Sequence, residues 1–306
     1  MTNAGYRSDA GFHPGERAVQ EQAGVRAMAD RVGPSVHSEM PAAARDFMAR
    51  QPMVVIGHAD ATGRLWASAL TGEPGFASAL DHATVALNAL PPAGGPLREV
   101  WSEGTEVGLL AIELSTRRRM RVNGRLVKGH DGGVTVAVRQ AYANCPKYIQ
   151  AREWGYAPDT PPTVQPRRGV RLTEVQREWI AHADTFFIAT AHPEAGADAS
   201  HRGGASGFVR VMDGTTLRFP DYSGNNMFNT LGNLAVNSKA GLLFLDFGSG
   251  DTLQITGEAR VLWDADQAAE FAGAQRVVEF KVTEVLQTPQ ALPLRWRFLE
   301  ASPFNP

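Results

Sequence analysis

Cysteine is almost absent from this sequence. The 306 residues contain one, Cys145, so no intrachain disulfide can form and a cysteine-rich metal site is excluded. Long apolar runs are missing too. None reaches the roughly 18–20 residues that span a bilayer, and Met1 to Ala10 lacks the apolar stretch of a signal peptide. A cytoplasmic protein with no membrane partner is therefore expected. There is no excess charge of one sign: 30 Lys and Arg stand against 32 Asp and Glu, a net charge of -2. That gives no electrostatic case for a nucleic-acid partner. His182, His192 and His201 are spaced by ten and nine residues, which is not helical ligand spacing, and no metal site is expected.

What is present is a globular balance, 43% hydrophobic and 20% charged, long enough for one large domain or two of ordinary size. Pro14 starts a helix running to about Ala29, and Ala42 to Arg50 forms a second, with Phe47 and Met48 facing a core. From Met53 the pattern changes to short β-like runs: Val54 to Gly57, Arg64 to Leu70, Ala83 to Leu87, Val107 to Leu114, Arg117 to Val127 and Val134 to Val138. Residues 157–169 are rich in proline and turn formers and read as a linker. Thr173 then caps a helix that carries Trp179 and Ile180 on its apolar side.

The β pattern then repeats. Val107-Gly-Leu-Leu-Ala-Ile matches Ala240-Gly-Leu-Leu-Phe-Leu, and Met120-Arg-Val-Asn-Gly matches Leu253-Gln-Ile-Thr-Gly, both at an offset of 133. The same offset pairs Gly57 with Thr190. Gly75-Phe76 pairs with Gly207-Phe208 at 132, as do Asp81 with Asp213 and Thr84 with Thr216. The expected organisation is an N-terminal helical segment (1–50), a first β copy (51–156), the linker (157–169) and a second copy (170–306). Two such copies pack about a pseudo-twofold axis, as a homodimer would.

The copies differ in their polar residues. The second carries Asp198-Ala-Ser-His-Arg-Gly-Gly and an amide-rich segment from Asn225 to Asn233. Arginine supplies forked donors that fit phosphate, glycine lets backbone N–H groups approach an anion, and a helix start leaves such groups unpaired. Singly, each of these residues also suits a hairpin turn. Together they fit the grip on a phosphorylated, ring-bearing ligand. The first copy has Ser68-Ala-Leu-Thr-Gly at the matching place. Its own candidates are the arginines 117–119 and 121, then Asn144-Cys-Pro-Lys-Tyr-Ile-Gln150. In a strand, Arg119 and Arg121 face one way and Arg118 the other.

These segments resemble the pyridoxamine 5′-phosphate oxidase-like flavin-nucleotide-binding proteins. Phe187-Ile-Ala-Thr, Asp198 to Gly204, Thr216-Leu-Arg-Phe-Pro-Asp-Tyr, Asn225 to Asn233, Ala240-Gly-Leu-Leu-Phe, Leu253-Gln-Ile-Thr-Gly and Asn144-Cys-Pro-Lys-Tyr-Ile carry the likeness, which covers about residues 45–290. It implies a mainly β protein with flanking helices, built as two tandem split β-barrels forming an intrachain pseudo-dimer, with FMN held between them. It implies that Ser200, His201, Arg202 and Gly203 face the flavin and its phosphate, and that Pro220 and Asp221 run beside the ring. Asn225, Asn229 and Thr230 belong to the phosphate segment. Asn229 and Thr230 replace the family's basic pair, so Arg202, Lys147 or an arginine of 117–121 has to compensate. Gln254 takes the place of a flavin-contacting strand glutamine, with Arg121 as its counterpart in the first copy; Asn144 and Lys147 complete the set.

The oxidase's residues for gripping pyridoxal phosphate have no clear matches, so pyridoxamine phosphate oxidation is not expected. Two functions fit. One is a flavin-dependent oxidoreductase acting on a small redox substrate, the flavin carrying the electrons. The other is a protein that only binds or sequesters a flavin, F420 or haem. No catalytic side chain is assigned, since His201 reads more readily as a hydrogen-bonded structural histidine than as an acid or base. Cys145 reads as a small buried apolar group. Whether two chains associate is left open by the sequence.

Overall fold

The computed structural model describes residues 11–130, 132–157 and 165–306. Helices α1 (Pro14–Gln22), α2 (Arg26–Val32) and α3 (Ala42–Ala49) come first. Strands β1 (Met53–Ala59), β2 (Leu65–Thr71), β3 (Ala77–Ala79) and β4 (Thr84–Leu87) follow, then α4 (Pro96–Glu99), β5 (Glu106–Glu113), β6 (Arg118–His130), β7 (Gly133–Asn144) and β8 (Ala151–Tyr156). The second half holds β9 (Arg167–Gly169), α5 (Glu174–His182), β10 (Thr185–His192), β11 (Gly196–Gly203), β12 (Arg210–Val211) and β13 (Thr216–Tyr222). It ends with α6 (Asn229–Val236), β14 (Lys239–Leu245), β15 (Thr252–Leu262), α7 (Ala265–Ala269), β16 (Ala274–Thr288) and β17 (Leu294–Glu300).

The protein is mainly β, and its two large sheets have one topology. Strand order is β2-β1-β5-β6-β7-β4-β3 in the first and β11-β10-β14-β15-β16-β13-β12 in the second. Local details repeat as well. A bulge falls at Asn123/Gly124 in β6 and at Thr256/Gly257 in β15. Phe76 lies on Gly72 and Phe208 on Gly204, so close that neither glycine has room for a Cβ.

The central strands are apolar on both faces because each face meets a different core. Val54 and Ile56 of β1 point into the first barrel, while Met53 and Val55 point at the other half. In β10, Phe186 and Ile188 fill the second barrel, and Phe187 and Ala189 face back. The shared layer also holds Leu110 and Ile112 from β5 and Leu243 and Leu245 from β14. Contacts across it recur with the halves exchanged. Gly108 lies against Ala197 and Asp198, and Gly241 against Leu65 and Trp66. A Cβ at Gly241 would sit 2.5 Å from the backbone of both. Gly241→Ala is therefore expected to cost about 1–3 kcal/mol in urea unfolding. Gly155→Ala, where a Cβ would meet nothing within 4 Å, is expected to stay within about 0.5 kcal/mol.

Several sequence expectations need correcting. The first helix does not reach Ala29: it stops at Gln22, and Gly24 at φ +69° turns the chain before α2. Gly57 is matched by Ala189, not Thr190. Gly57 pairs with Gly108, and Ala189 pairs with Gly241. The change of offset from 132 to 133 thus falls between Thr216 and Gly241, in the stretch that holds α6. Strands β3 and β8 were not anticipated. Nor was β17, which holds Trp296-Arg-Phe-Leu and pairs with β8. Of the proline-rich segment, 158–164 lie outside the described residues, and Arg167–Gly169 form β9 on the edge of β16. The N-terminal segment reaches across the molecule, because α1 packs on α6 through Gly15 and Gly232.

Candidate functional site

A cleft opens between the halves where β6 and the end of β7 face β11, β13 and the start of α6. It is lined by Arg119, Arg121, Asn144, Cys145, Lys147 and Tyr148 from the first half. The second half contributes Ser200 to Gly203, Pro220 to Tyr222 and Asn225 to Leu231 apart from Met227. Twelve of the thirteen anticipated site residues lie here: Ser200, His201, Arg202, Gly203, Pro220, Asp221, Asn225, Asn229, Thr230, Arg121, Asn144 and Lys147.

Gln254 does not. It donates to the Ala67 carbonyl and to Ser68 Oγ, each at 2.8 Å, in the mirror-image groove. There Gln254 and Ser68 occupy the places that Arg121 and Ser200 take in the cleft. The shared strand register puts Gln254 on β15 as it puts Arg121 on β6, so the two cannot meet one ligand. Among the described residues no cation lines the mirror groove, and Pro91, Pro92, Leu97 and Leu292 narrow it to about 30 Å³. Cys145 also departs from expectation. It is half-exposed on the cleft wall, and its carbonyl accepts from Arg119 Nε at 3.1 Å.

Four cations line the cleft, Arg119, Arg121, Lys147 and Arg202, against one carboxylate, Asp221. Arg121 is neutralised by Asp198 just behind it, at 3.1 Å. It also donates to Asn229 Oδ1, Tyr142 Oη and Ser200 Oγ. Arg202 shares Asp221 with Arg276, at 2.9 and 3.5 Å. Arg119 has no carboxylate partner among the described residues. Its Nη1 donates to His201 Nδ1 at 3.0 Å and to the His201 carbonyl at 3.3 Å. Burial, followed by Arg121 and Arg202, pushes the Arg119 guanidinium down to about 10. Burial, followed by Arg119, Arg202, Arg152 and Arg121, holds His201 well below its ordinary value. The ring is thus neutral, accepts through Nδ1 and carries its proton on Nε2.

The wall has unspent hydrogen-bonding capacity. Arg121 Nε, Arg202 Nε, Asn144 Oδ1 and His201 Nε2 are buried without a partner among the described residues. Helix α6 starts without a side-chain cap, so its first amides are also free of side-chain acceptors. Backbone strain gathers here as well. Tyr148, Asn226 and Phe228 all have positive φ, at 66°, 61° and 61°, and such residues cluster at ligand clamps. Tyr148 lies 5.0 Å from the Tyr222 ring and donates to the Ser223 carbonyl at 2.9 Å, bridging the mouth. The free volume is about 100 Å³, below the roughly 300 Å³ of ordinary small-molecule sites. The Tyr148 bridge or the 225–228 turn has to shift to admit a ligand of nucleotide size.

Asp198 and Tyr148 lie in segments singled out from the sequence but were given no role, and Glu16 was not anticipated. Alternation along β11 could have found Asp198, which shares a face with Ser200 and Arg202. Glu16 gave no such signal, because it arrives from 213 residues away to accept from the Asn229 amide. Burial pushes its carboxyl up to about 8. The His13 backbone N–H and Asn229 oppose this, Asp198 adds to it and Arg121 subtracts. The folded protein therefore binds a proton that the unfolded chain releases near 4.5. The stability from this proton is full below that value and is lost as pH rises through about 8. Glu16→Gln imitates the protonated form. It is expected to be on the order of a few kcal/mol more stable than the parent above pH 8 and nearly equal to it at pH 5, by urea unfolding.

Residues 172–294 match the family model of pyridoxamine 5′-phosphate oxidase. No curated protein matches the chain. Among solved structures, a candidate pyridoxamine 5′-phosphate oxidase from Lactobacillus delbrueckii is 22% identical. The match covers 38% of this chain and 93% of that one, with a TM-score of 0.32. An FMN-binding protein from Syntrophomonas wolfei is 15% identical over 37% and 82% of the two chains, at 0.28. The FAD binding protein from Mycobacterium smegmatis is 16% identical over 40% and 98%, at 0.29. No helix among the described residues is long and apolar enough to cross a membrane.

Proposed function

We propose that the cleft binds a flavin nucleotide, FMN, between two tandem barrel copies, and that the protein is a flavin-dependent oxidoreductase. The observation that carries this reading is the guanidinium of Arg119, which has no carboxylate partner among the described residues. It lies in one cleft with Arg202, Lys147 and the uncapped start of α6. A phosphate there would gain forked, charge-assisted donors and helix amides together. Tyr148 and Tyr222 offer flat faces to a ring, and Pro220 adds an apolar edge.

The flavin, when bound, supplies the electron chemistry. The chain binds and orients it. Arg119 and Arg202 hold the anionic end. Neutral His201 offers an Nε2–H, and the Tyr148 bridge keeps water out. The mirror groove has lost its cations and its space, so one flavin per chain is expected. A small-molecule redox substrate is the partner this reading requires.

A second reading is a protein that binds or sequesters its cofactor without turnover. It is favoured by the neutrality of His201, the only histidine lining the cleft among the described residues. One spectrum separates the readings. The purified protein should be yellow, release FMN identifiable by mass at one per chain, and bleach with NAD(P)H. Colour that dithionite but not NAD(P)H removes would favour the binder. A Soret-type band or an F420 mass would replace FMN, and a colourless protein that takes up no added FMN would end both readings.

A further inference from the structure

Beside the cleft lies a second cavity, of about 560 Å³ and mostly apolar. Arg119 and Asn144 line both spaces. Its floor is built from Ala44 and Phe47 of α3 and Met120 of β6. Alternation on β6 explains the rim. Arg119 turns toward the second half, while Arg118 turns back over Phe47, its guanidinium 5.3 Å from the ring centre. Arg118 is exposed and makes no ion pair among the described residues, and Arg119 also lacks a carboxylate. No carboxylate lines the cavity among the described residues. The space thus has apolar walls, one unneutralised guanidinium, Arg118, at its edge, and a volume typical of small-molecule sites.

The geometry points to a binding site for a small carboxylate with an apolar body. The body lies on Phe47, Ala44 and Met120, and the carboxylate meets Arg118. As a binding site this stands apart from whatever fills the cleft. As the substrate site of an oxidoreductase it rests on the flavin reading, because the shared wall would set the occupant beside the cofactor.

Calorimetry on the full chain as purified tests this with 2-naphthoate and with neutral 2-naphthylmethanol. The acid is expected to bind at least about tenfold more tightly than the alcohol, since a charge-assisted fork is lost with the carboxylate. Arg118→Gln should weaken the acid by about tenfold and leave the alcohol and the melting temperature unchanged. Ala44→Trp, which fills the floor, should abolish both. Equal affinities for acid and alcohol, no binding of the acid, or an Arg118→Gln protein that binds it as well as the parent would each overturn the proposal. If Ala44→Trp does not fold, the exposed Arg118 variant still decides. Flavin absorbance read on the same sample separates the two ideas. Flavin without naphthoate binding sinks the cavity proposal alone, and naphthoate binding without flavin sinks the flavin reading alone.

Discussion

Replacing Arg119 by glutamine is expected to weaken FMN binding by roughly ten- to a hundredfold, the worth of one charge-assisted phosphate contact. The same change should leave the cofactor-free protein no less stable than the parent. The second half of that expectation separates ligand binding from scaffolding. In the structure Arg119 is a cost. It is buried beside Arg121 and Arg202 with only two carbonyls and a histidine ring to accept its protons, and burial first, then those arginines, lowers its own affinity for the proton. A residue that repels its neighbours in the free protein and is relieved by an arriving anion follows the usual exchange of stability for function. Arg202→Gln makes the contrast. Asp221 would keep Arg276, so binding should fall with little change in folding. The checks are FMN titration by flavin fluorescence and urea unfolding of stripped protein. An Arg119→Gln protein that unfolds more than about 1 kcal/mol earlier yet keeps its FMN would mean that the side chain is structural.

The barrels and most of the cleft were legible because they repeat. Each central strand packs on two cores, which leaves unbroken apolar runs at a constant offset, and the repeat can be read without knowing how the strands close. Departures between the copies, Ser200-His-Arg against Ser68-Ala-Leu, then mark the site. Three things were hidden, each for a physical reason. A pseudo-dimer has two grooves, and a residue's place in the repeat does not say which groove it enters; Gln254 was assigned to the wrong one. The one-residue shift at Gly57 and Ala189 is set by ladder pairing, which sequence similarity tracks only loosely where small residues alternate. The α1–α6 contact joins Glu16 to Asn229 through Gly15 and Gly232, and no local pattern announces a long-range approach of two glycines.

Asp198 should prove the most sensitive position of the seam. Its carboxylate accepts from Arg121, Tyr142 and Asn123, at 3.1, 3.2 and 3.4 Å, with all four residues buried. Asp198→Ala would leave the Arg121 charge out of water with no counter-charge in contact. Breaking a buried pair from one side typically costs about 3–5 kcal/mol. Removing the charge from both sides should cost much less, because the desolvation of Arg121 disappears with it. The mirror groove already supplies the neutral solution, Gln254 donating to Ser68 where Arg121 donates to Ser200. The double variant Arg121→Gln with Asp198→Asn is therefore expected to recover most of the loss, to within about 1–2 kcal/mol of the parent. It should still bind FMN poorly, since it would have turned the working groove into a copy of the closed one. Urea unfolding of Arg121→Gln, Asp198→Asn and the double gives the coupling directly. Additive losses would show that Asp198 and Arg121 contribute separately and that the seam does not depend on their pairing.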